Sequence, residues 1–247
     1  MCKTTIDYLV KSGWDIFNAP VEFIRFTGNN EADILLNDLQ KFPHAFVLAC
    51  IMDRQMKAER AWLIPYKFQV RLGGFDFERL TKLTISNIYE IMTTPEPLHR
   101  FKKIMSENFH QAIELISKRY QGNAANIWLN NPGSGLLVSR FLEFRGVGQK
   151  IASMAANILV RHFKIHLAEY VNIDVSVDVH VKRVMVRLGL IPENASVEQV
   201  VMAAKTISPE FPGIIDFPCW EIGRKYCRPE NPKCTQCDIK SFCKYSN

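Results

Sequence analysis

The chain has 247 residues, of which 47% are hydrophobic and 23% are charged, a composition typical of a folded globular protein. No apolar run approaches the ~20 residues that a membrane-spanning helix needs, and residues 1–17 lack the features of a secretory signal peptide. The formal net charge of +6 is compatible with a polyanionic partner, although many basic proteins bind no nucleic acid. We therefore expect an intracellular protein that does not associate with membranes.

Apolar residues recur at helical spacing along most of the chain. The clearest helical segments, in chain order, are residues 43–56, 85–93, 98–105, 110–120 and 136–144. The alternation typical of a strand is scarce, and "VNIDVSV" at residues 171–177 is the one tempting example. The pattern predicts an all-helical protein of two lobes.

A glycine turn, Gly146-Val147-Gly148, precedes a helix that carries Lys150 in its first turn. Apolar residues from Ile151 onwards share one face of that helix. Glycines allow close approach of a ligand to the backbone, and the unpaired N–H groups that open a helix can bind an anion. The turn therefore predicts a contact of these three residues with a DNA phosphate. Taken alone, it is as readily a simple helix connection, and Lys150 a solvated surface residue.

Asp178 stands immediately before a helix whose apolar face includes Val181, Val184 and Met185 and which Gly189 closes. Aspartate is a preferred N-cap residue, and most aspartates at such positions are only caps. The helix dipole also favours an ionised carboxylate there. If it faced a cleft, Asp178 could stabilise positive charge on a sugar ring or organise proton transfer.

Four cysteines are crowded near the end of the sequence, in the pattern C-x6-C-x2-C-x5-C formed by Cys227, Cys234, Cys237 and Cys243. Such density predicts a metal centre. Structural zinc sites usually pair two short Cys-x2-Cys knuckles, whereas an iron–sulfur cluster accepts cysteines from irregular loops, and both remain open at this point. The other cysteines, Cys2, Cys50 and Cys219, are interpreted as small hydrophobic residues.

The glycine turn ending in Lys150, the "VDVHVKR" stretch around Asp178 and the cysteine spacing, in that order, resemble the endonuclease III family of helix-hairpin-helix DNA glycosylases. The resemblance extends from about residue 43 onwards. It implies two helical lobes with a DNA-binding cleft between them. Residues 36–170 would form a six-helix barrel lobe that contains the hairpin, and residues 1–35 and 171–247 an iron–sulfur cluster lobe.

The resemblance also implies a base-excision-repair enzyme that both removes a base and nicks the strand. Lys150 matches the family's nucleophile, which attacks the sugar C1′, displaces the base and forms a Schiff base that undergoes β-elimination. Asp178 matches the aspartate that stabilises the cationic sugar. Gln55 resembles the residue that fills the gap left by a displaced base. The implied partner is double-stranded DNA with a damaged or mismatched base, bound by a monomer, which in a prokaryote would be cytoplasmic and nucleoid-associated.

The four cysteines would hold a [4Fe–4S] cluster with no obvious redox task in base removal. Arg183 resembles the arginine that packs near that cluster. We expect the cluster to shape a loop that brings basic side chains to DNA phosphates, namely Arg224, Lys225, Arg228 and Lys233.

The sequence departs from the family in two places. Phe144-Arg145 stands where the family usually has Leu-Pro, and Lys150 and Asp178 are 28 positions apart, several more than usual, which makes Asp174 a fallback acid. The lysine favours enzymes that act on oxidised pyrimidines. The alternatives are a related glycosylase for damaged purines or mismatched bases, a non-catalytic cluster-bearing DNA-binding or redox-sensing protein, and a zinc-stapled helical interaction domain.

Overall fold

The computed structural model describes residues 4–246, which form thirteen α-helices, a few short 3₁₀ turns and no β-strand. The predicted all-helical fold is confirmed. The alternating "VNIDVSV" pattern at residues 171–177 forms no strand, because residues 171–172 lie in a turn and residues 173–178 have no regular secondary structure. None of the described helices has both the length and the apolar character needed to cross a bilayer.

The chain divides into two compact units. The first, the cysteine unit, comprises the segment ending at Val21, residues Asn131–Val138 and the segment from Ala152 onwards. The second, the hairpin unit, comprises Glu22–Asn130 and Ser139–Ile151. Residues 22–35 thus group with the hairpin unit, and residues 152–170 with the cysteine unit. The lobe bounds inferred from the family, at residues 36–170, stay a prediction.

Each unit contains its own set of helices. The hairpin unit contains α2 (Asn30–Asn37), α3 (Pro43–Met52), α4 (Ala58–Trp62), α5 (Ile64–Leu72), α6 (Phe77–Thr81), α7 (Ile85–Thr93) and α8 (Lys102–Arg119). The cysteine unit contains α1 (Thr5–Asn18), α11 (Val179–Arg187), α12 (Val197–Ile207) and α13 (Asp216–Lys225). Two helices have residues in both units, α9 (Ser134–Leu142) and α10 (Gln149–Arg161).

Most predicted helices lie where the apolar spacing placed them, with two corrections. Residues 85–93 coincide with α7, whereas the helix predicted over residues 43–56 ends at Met52. The two helices predicted at residues 98–105 and 110–120 are one continuous helix, α8. Met105, Phe109, Ile113 and Ile116 are buried along one face of α8, so the apolar stripe continues across the supposed break.

Helix α3 is the centre of the hairpin unit, because all ten of its residues are buried. A helix that is apolar on every side needs neighbours on every side. Aromatic rings provide much of that surrounding layer. Phe68 stacks on Phe109 with ring centroids 4.5 Å apart, and Phe26 stacks on Trp62 at the same separation. This rigid helix fixes the position of the loop that follows it, in which Gln55 lies.

In the cysteine unit, α11 lies directly against α13. Gly223 of α13 makes this close approach feasible, because a Cβ at that position would lie 2.8 Å from the His180 Cβ and 3.0 Å from its carbonyl oxygen. Lys164 joins α1 to this unit. Its Nζ donates to the carbonyl oxygens of Ile16 and Phe17, at 3.0 and 2.6 Å, where α1 ends. The N-terminal helix and the cysteine-bearing segment therefore belong to one packed body.

Candidate functional site

The predicted glycine turn is a tight connection between α9 and α10. Gly146 has φ +88°, in the left-handed region that glycine tolerates best. A Cβ on Gly146 would lie 2.5 Å from Asn108 Nδ2, whereas a Cβ on Gly148 would meet no described heavy atom within 4 Å. Val147 is buried, and its N–H donates to the Phe144 carbonyl at 3.0 Å. Gly148 is therefore the residue of the turn whose backbone a ligand can approach, while Gly146 and Val147 anchor the turn.

Lys150 is the second residue of α10, directly after the turn. Its Nζ lies 3.5 Å from Oδ2 of Asp53, at the limit of a hydrogen bond. The Lys150 side chain is 41% exposed, whereas that of Asp53 is 9% exposed. The Lys150 amine thus has a nearly buried carboxylate on one side and solvent on the other. It can exchange a proton with the carboxylate and contact a ligand from the solvent side.

Gln55 lies at the surface on the loop that follows α3. Its φ of +50° places it in the left-handed region, which is uncommon for a residue other than glycine. Arg100 Nη1 donates to the Gln55 carbonyl at 3.4 Å, and Arg54 N–H donates to the Met52 carbonyl at 2.7 Å. The loop is thus held by backbone contacts, and the Gln55 side chain projects from it into solvent.

Asp178 is the N-cap of α11, as its position in the sequence predicts. Its Oδ1 accepts hydrogen bonds from the N–H groups of His180 and Val181, each at 2.8 Å. These two bonds satisfy donors that the first turn of a helix cannot pair internally. The carboxylate is held rigidly with one oxygen used by the cap.

The extended segment before Asp178 is fixed along its length by the surrounding helices of the cysteine unit. The Gly213 N–H donates to the Ile173 carbonyl at 2.7 Å, and the Asn157 side-chain amide donates to the Asp174 carbonyl at 2.9 Å. The Ser176 N–H donates to the Asp216 carboxylate at 2.6 Å. The backbone that leads to Asp178 therefore has a single well-determined path.

Asp216 and Arg161 form a buried ion pair beneath this segment. Arg161 Nη1 lies 3.9 Å from Asp216 Oδ2, and both side chains are almost fully buried. Burial raises the pKa of Asp216 to about 6 despite the neighbouring guanidinium, and burial lowers the pKa of Arg161 to about 10. Both shifts follow from one cause, because desolvation outweighs the attraction across a gap of this length.

Asp174, the fallback acid, occupies a different setting from Asp178. Its Oδ1 lies 3.2 Å from Nζ of Lys205 on α12, and its side chain is largely buried. It does not begin a helix, and its carbonyl is already bonded to Asn157. This ion pair favours a structural role for Asp174 and leaves Asp178 as the better candidate.

The four clustered cysteines line one open cavity of the cysteine unit, and the space free of protein atoms is about 360 Å³ when its mouth, open to solvent, is included. All four thiols are free. Apolar side chains of α11, α13 and the C-terminal loops complete the wall. Burial raises the pKa of Cys237, and negative charge on Cys227 and Cys243 raises it further. Thiols that interact in this way favour a bound cationic centre that compensates their charge.

Two arginines of α11 brace the loop that begins at Cys227. Arg183 Nε donates to the Cys227 carbonyl at 2.7 Å, and its Nη2 donates to the Gly223 carbonyl at 3.0 Å. Arg187 Nη1 lies 3.4 Å from Cys227 Sγ and donates to the Arg228 carbonyl at 2.7 Å. Arg187 thus reaches a thiol directly, whereas Arg183 supports the backbone. The position of Arg187 in the last turn of α11 is the one feature of the sequence that could have pointed to this contact.

Among residues 4–246, no three His, Cys, Asp or Glu side chains are gathered tightly enough to hold a single metal ion. Tetrahedral zinc needs four ligands at about 2.0–2.3 Å from one point. In an iron–sulfur cube each cysteine binds a different iron, so the four sulfurs can stand further apart. The four thiols line one cavity and come from irregular loops, which is the ligand arrangement that an iron–sulfur cube accepts. Cys50 and Cys219 are buried elsewhere, as expected for small hydrophobic residues, and Cys2 lies outside the described residues.

The basic residues predicted to contact DNA are all exposed, but their contacts with other side chains differ. Arg228 and Lys233 are exposed on the cysteine loop. Arg224 lies over the Trp220 ring, 4.9 Å from its centroid. Lys225 forms an ion pair of 2.8 Å with Glu221, which offsets its charge. Lys225 is therefore less available to a phosphate than its exposure alone suggests.

Two known proteins show sequence similarity to most of the chain, although no family model matches it. Endonuclease III of Thermotoga maritima is 25% identical over 179 residues, which cover 67% of this chain and 75% of that protein. Endonuclease III of Buchnera aphidicola subsp. Baizongia pistaciae is 26% identical over 194 residues, which cover 72% of this chain and 80% of that protein.

Solved structures extend the likeness to the whole fold. An endonuclease III trapped as a covalent intermediate with DNA superposes with a TM-score of 0.64, at 17% identity, over 100% of this chain and 97% of that one. The predicted resemblance to the endonuclease III family is confirmed. A thermostable thymine-DNA glycosylase superposes with a TM-score of 0.65, at 18% identity, over 98% of this chain and 96% of that one. This endonuclease III-like chain therefore has the all-helical fold that its motifs predict.

Asp53 is the residue of the candidate site that the sequence motifs did not identify. It follows α3 directly, at the negative end of the helix dipole, where a carboxylate is unfavourable. That misplaced charge is the one sequence signal that could have singled it out.

Proposed function

We propose that the chain is a DNA glycosylase with an associated lyase activity at abasic sites. The observation that carries the proposal is the position of Lys150, a partly exposed amine at the start of a helix that opens from a left-handed glycine. The amine would attack C1′ of an extruded nucleotide, displace the base and form a Schiff base, and β-elimination would then nick the strand. The partner is double-stranded DNA, bound by a monomer.

Several other residues would support this chemistry. Asp178, held rigidly as the N-cap of α11, would stabilise positive charge on the sugar. Gly148 offers an open backbone position for a phosphate at the start of α10, which positions the duplex without reading its sequence. Gln55, exposed on its loop, would fill the space of the displaced base. Arg224, Arg228 and Lys233 would add phosphate contacts.

Borohydride trapping on DNA that contains an abasic site tests the nucleophile. Wild-type protein should form a covalent complex and Lys150→Ala should not. The matched control is Lys118→Ala, which removes an exposed lysine that is paired with Glu114 on α8, and it should be trapped like wild type. Equal trapping of Lys150→Ala would contradict the proposal. Binding of this DNA by wild type without trapping would favour a non-catalytic DNA-binding protein.

The residues lining the cysteine cavity fit a [4Fe–4S] cluster, held by Cys227, Cys234, Cys237 and Cys243. When bound, it would cross-link the C-terminal loop by four thiolate bonds. Purified protein should contain iron and acid-labile sulfide in equal amounts, and Cys227→Ala should lose both. Cys219→Ala, which changes a buried cysteine outside the cavity, should retain both. A colourless preparation with zinc and no iron would contradict the assignment.

Oxidised pyrimidines are the proposed substrates, with damaged purines and mismatched bases as alternatives. The support is the lysine at the hairpin, which suits a combined glycosylase and lyase. Release of bases from a panel of duplexes, one lesion or mismatch in each, measures this directly. Release confined to purine lesions or mismatches would overturn the pyrimidine assignment and leave the glycosylase assignment intact.

A further inference from the structure

The Lys150 ammonium and the Asp53 carboxylate form a pair in the hairpin unit that the sequence motifs do not explain. Their polar atoms are 3.5 Å apart, and the carboxylate is nearly buried while part of the lysine is open to solvent. The two residues are separated by 97 positions in the chain, so the fold and not the local sequence brings the first turn of α10 beside the residue that follows α3.

Each charged group of this pair lies at the helix end where the helix dipole disfavours a charge of that sign. Asp53 is the C-cap of α3, where exposed carbonyl groups make a negative charge unfavourable, and its backbone N–H donates to the Cys50 carbonyl at 3.2 Å. Lys150 is the second residue of α10, where exposed N–H groups make a positive charge unfavourable. Each such placement costs roughly 0.3–1 kcal/mol in exposed helices. Transfer of a proton from the lysine to the aspartate would relieve both.

Both neutral and charged side chains surround the pair. Cys50 lies beneath it, and burial followed by the negative charge of Asp53 raises the pKa of its thiol, so the thiol is neutral near pH 7. Burial lowers the pKa of His99 on the adjoining loop, so its imidazole is also neutral. Arg54 and Arg100 are cations close to His99, and the Arg54 guanidinium also approaches Gly146. A ligand that covers the solvent side would remove water from the pair, and desolvation favours two neutral partners over two charged ones.

We propose that Asp53 is a further catalytic residue that handles the proton of Lys150. This inference rests on the proposed function. The Asp53 carboxylate takes one proton from the ammonium, which leaves a neutral amine. The amine nitrogen bonds to the C1′ aldehyde carbon of the abasic sugar and forms a carbinolamine. Asp53 then returns its proton to the departing hydroxyl, which leaves as water. The products are the iminium ion and the Asp53 carboxylate, so charge and protons balance.

The test is the single-turnover rate of borohydride-trapped complex formation on an abasic-site duplex, measured as a function of pH. Removal of a general base typically costs 10²- to 10⁴-fold, so we expect Asp53→Asn to be slower than wild type by about 100-fold at pH 7. The gap should narrow as the pH rises, because base in solution then removes the proton that Asp53 would otherwise take. Asp53→Glu, which keeps a carboxylate, should recover most of the rate.

The control is Glu107→Gln, which removes a carboxylate paired with Arg145 at 3.2 Å beside the same turn. It should match wild type at every pH, and thermal denaturation should verify that all variants are folded. A rate ratio between wild type and Asp53→Asn that does not change with pH would show a structural role and overturn the proposal. An Asp53→Asn variant as fast as wild type would overturn it as well.

A second measurement separates failure of this inference from failure of the proposed function. Reductive labelling of Lys150 by a small aldehyde and cyanoborohydride needs no DNA, and peptide mass spectrometry quantifies it. If Asp53 moves the proton, wild type is labelled several-fold faster than Asp53→Asn near neutral pH, even if no complex with DNA can be trapped. Equal or faster labelling of Asp53→Asn refutes the proton transfer, whatever the outcome with DNA.

Discussion

The two glycines of the hairpin differ in a way that lets stability and DNA binding be changed separately. Gly146 has a left-handed backbone, and a Cβ there would press on the buried Asn108 side chain at 2.5 Å and on Arg54 at 3.1 Å. A non-glycine residue in that conformation costs roughly 1–2 kcal/mol, before any cost of moving Asn108. Gly148 has open space where its Cβ would be.

Gly146→Ala should therefore lower the free energy of unfolding by about 2 kcal/mol, which is a fall of roughly 4–8 °C in the melting temperature of a chain this long. Gly148→Ala should leave the melting temperature unchanged or slightly raised, because alanine restricts the unfolded chain. It should weaken binding to abasic-site DNA, since the methyl group occupies the approach of a phosphate to the backbone. Loss of one charge-assisted hydrogen bond of about 1–2 kcal/mol is roughly a 5- to 30-fold rise in Kd.

Circular dichroism melting and fluorescence anisotropy on a labelled duplex measure the two quantities on the same samples. The reasoning about backbone strain fails if Gly146→Ala has the same melting temperature as wild type. The phosphate contact is refuted if Gly148→Ala binds DNA with the wild-type Kd. If Gly148→Ala loses as much stability as Gly146→Ala, the distinction between an anchoring and an exposed glycine is wrong.

Three further predictions concern the cysteine unit. Lys164→Met removes two hydrogen bonds to the end of α1 and should lower the free energy of unfolding by about 2 kcal/mol. In the same melting experiment, the control Lys11→Met on the exposed face of α1 should change the free energy of unfolding by less than about 0.5 kcal/mol. Burial raises the pKa of Asp216 from 3.8 to about 6, so its contribution to stability is complete below about pH 4 and is lost as the pH rises through 6. Over that interval wild type should lose stability relative to Asp216→Asn. A parallel loss of stability in both proteins would contradict the raised pKa. Gly223→Ala should destabilise the packing of α13 against α11, because its Cβ would lie 2.8–3.1 Å from His180 atoms, and unchanged melting would show that the helices can separate at no cost.

Local features of the site were predictable from the sequence, because the contacts that create them span few residues. The Asp178 carboxylate caps the N–H groups of residues two and three positions later, and a preferred capping residue before an apolar helical pattern is enough to predict this. The left-handed backbone at Gly146 and the cysteine spacing are local in the same sense. The helical segments predicted at residues 98–105 and 110–120 are parts of one helix, α8, because the polar residues between them interrupt the run of apolar letters but not the buried face.

Long-range contacts were not predictable in the same way. The carboxylate beside Lys150 belongs to Asp53, which is 97 positions away in the chain, and spacing within a motif carries no information about it. The same holds for Arg187, whose guanidinium reaches Cys227 and the carbonyl of Arg228 across 40 and 41 positions. Residue types at fixed spacing point to a chemistry, whereas the groups that tune that chemistry depend on the fold.

The long segment between Lys150 and Asp178 illustrates how an apparent insertion can act as an anchor. After α10 ends at Arg161, Lys164 caps α1, and the backbone at Ile173 and Ser176 is hydrogen-bonded to neighbouring parts of the cysteine unit. A flexible loop would leave these donors and acceptors to water, and the start of α11 would then be free to shift. Because the segment is tied at several points, its extra length fixes the carboxylate of Asp178 in place. Shortening it would therefore displace Asp178, and any effect on base removal would follow from that displacement.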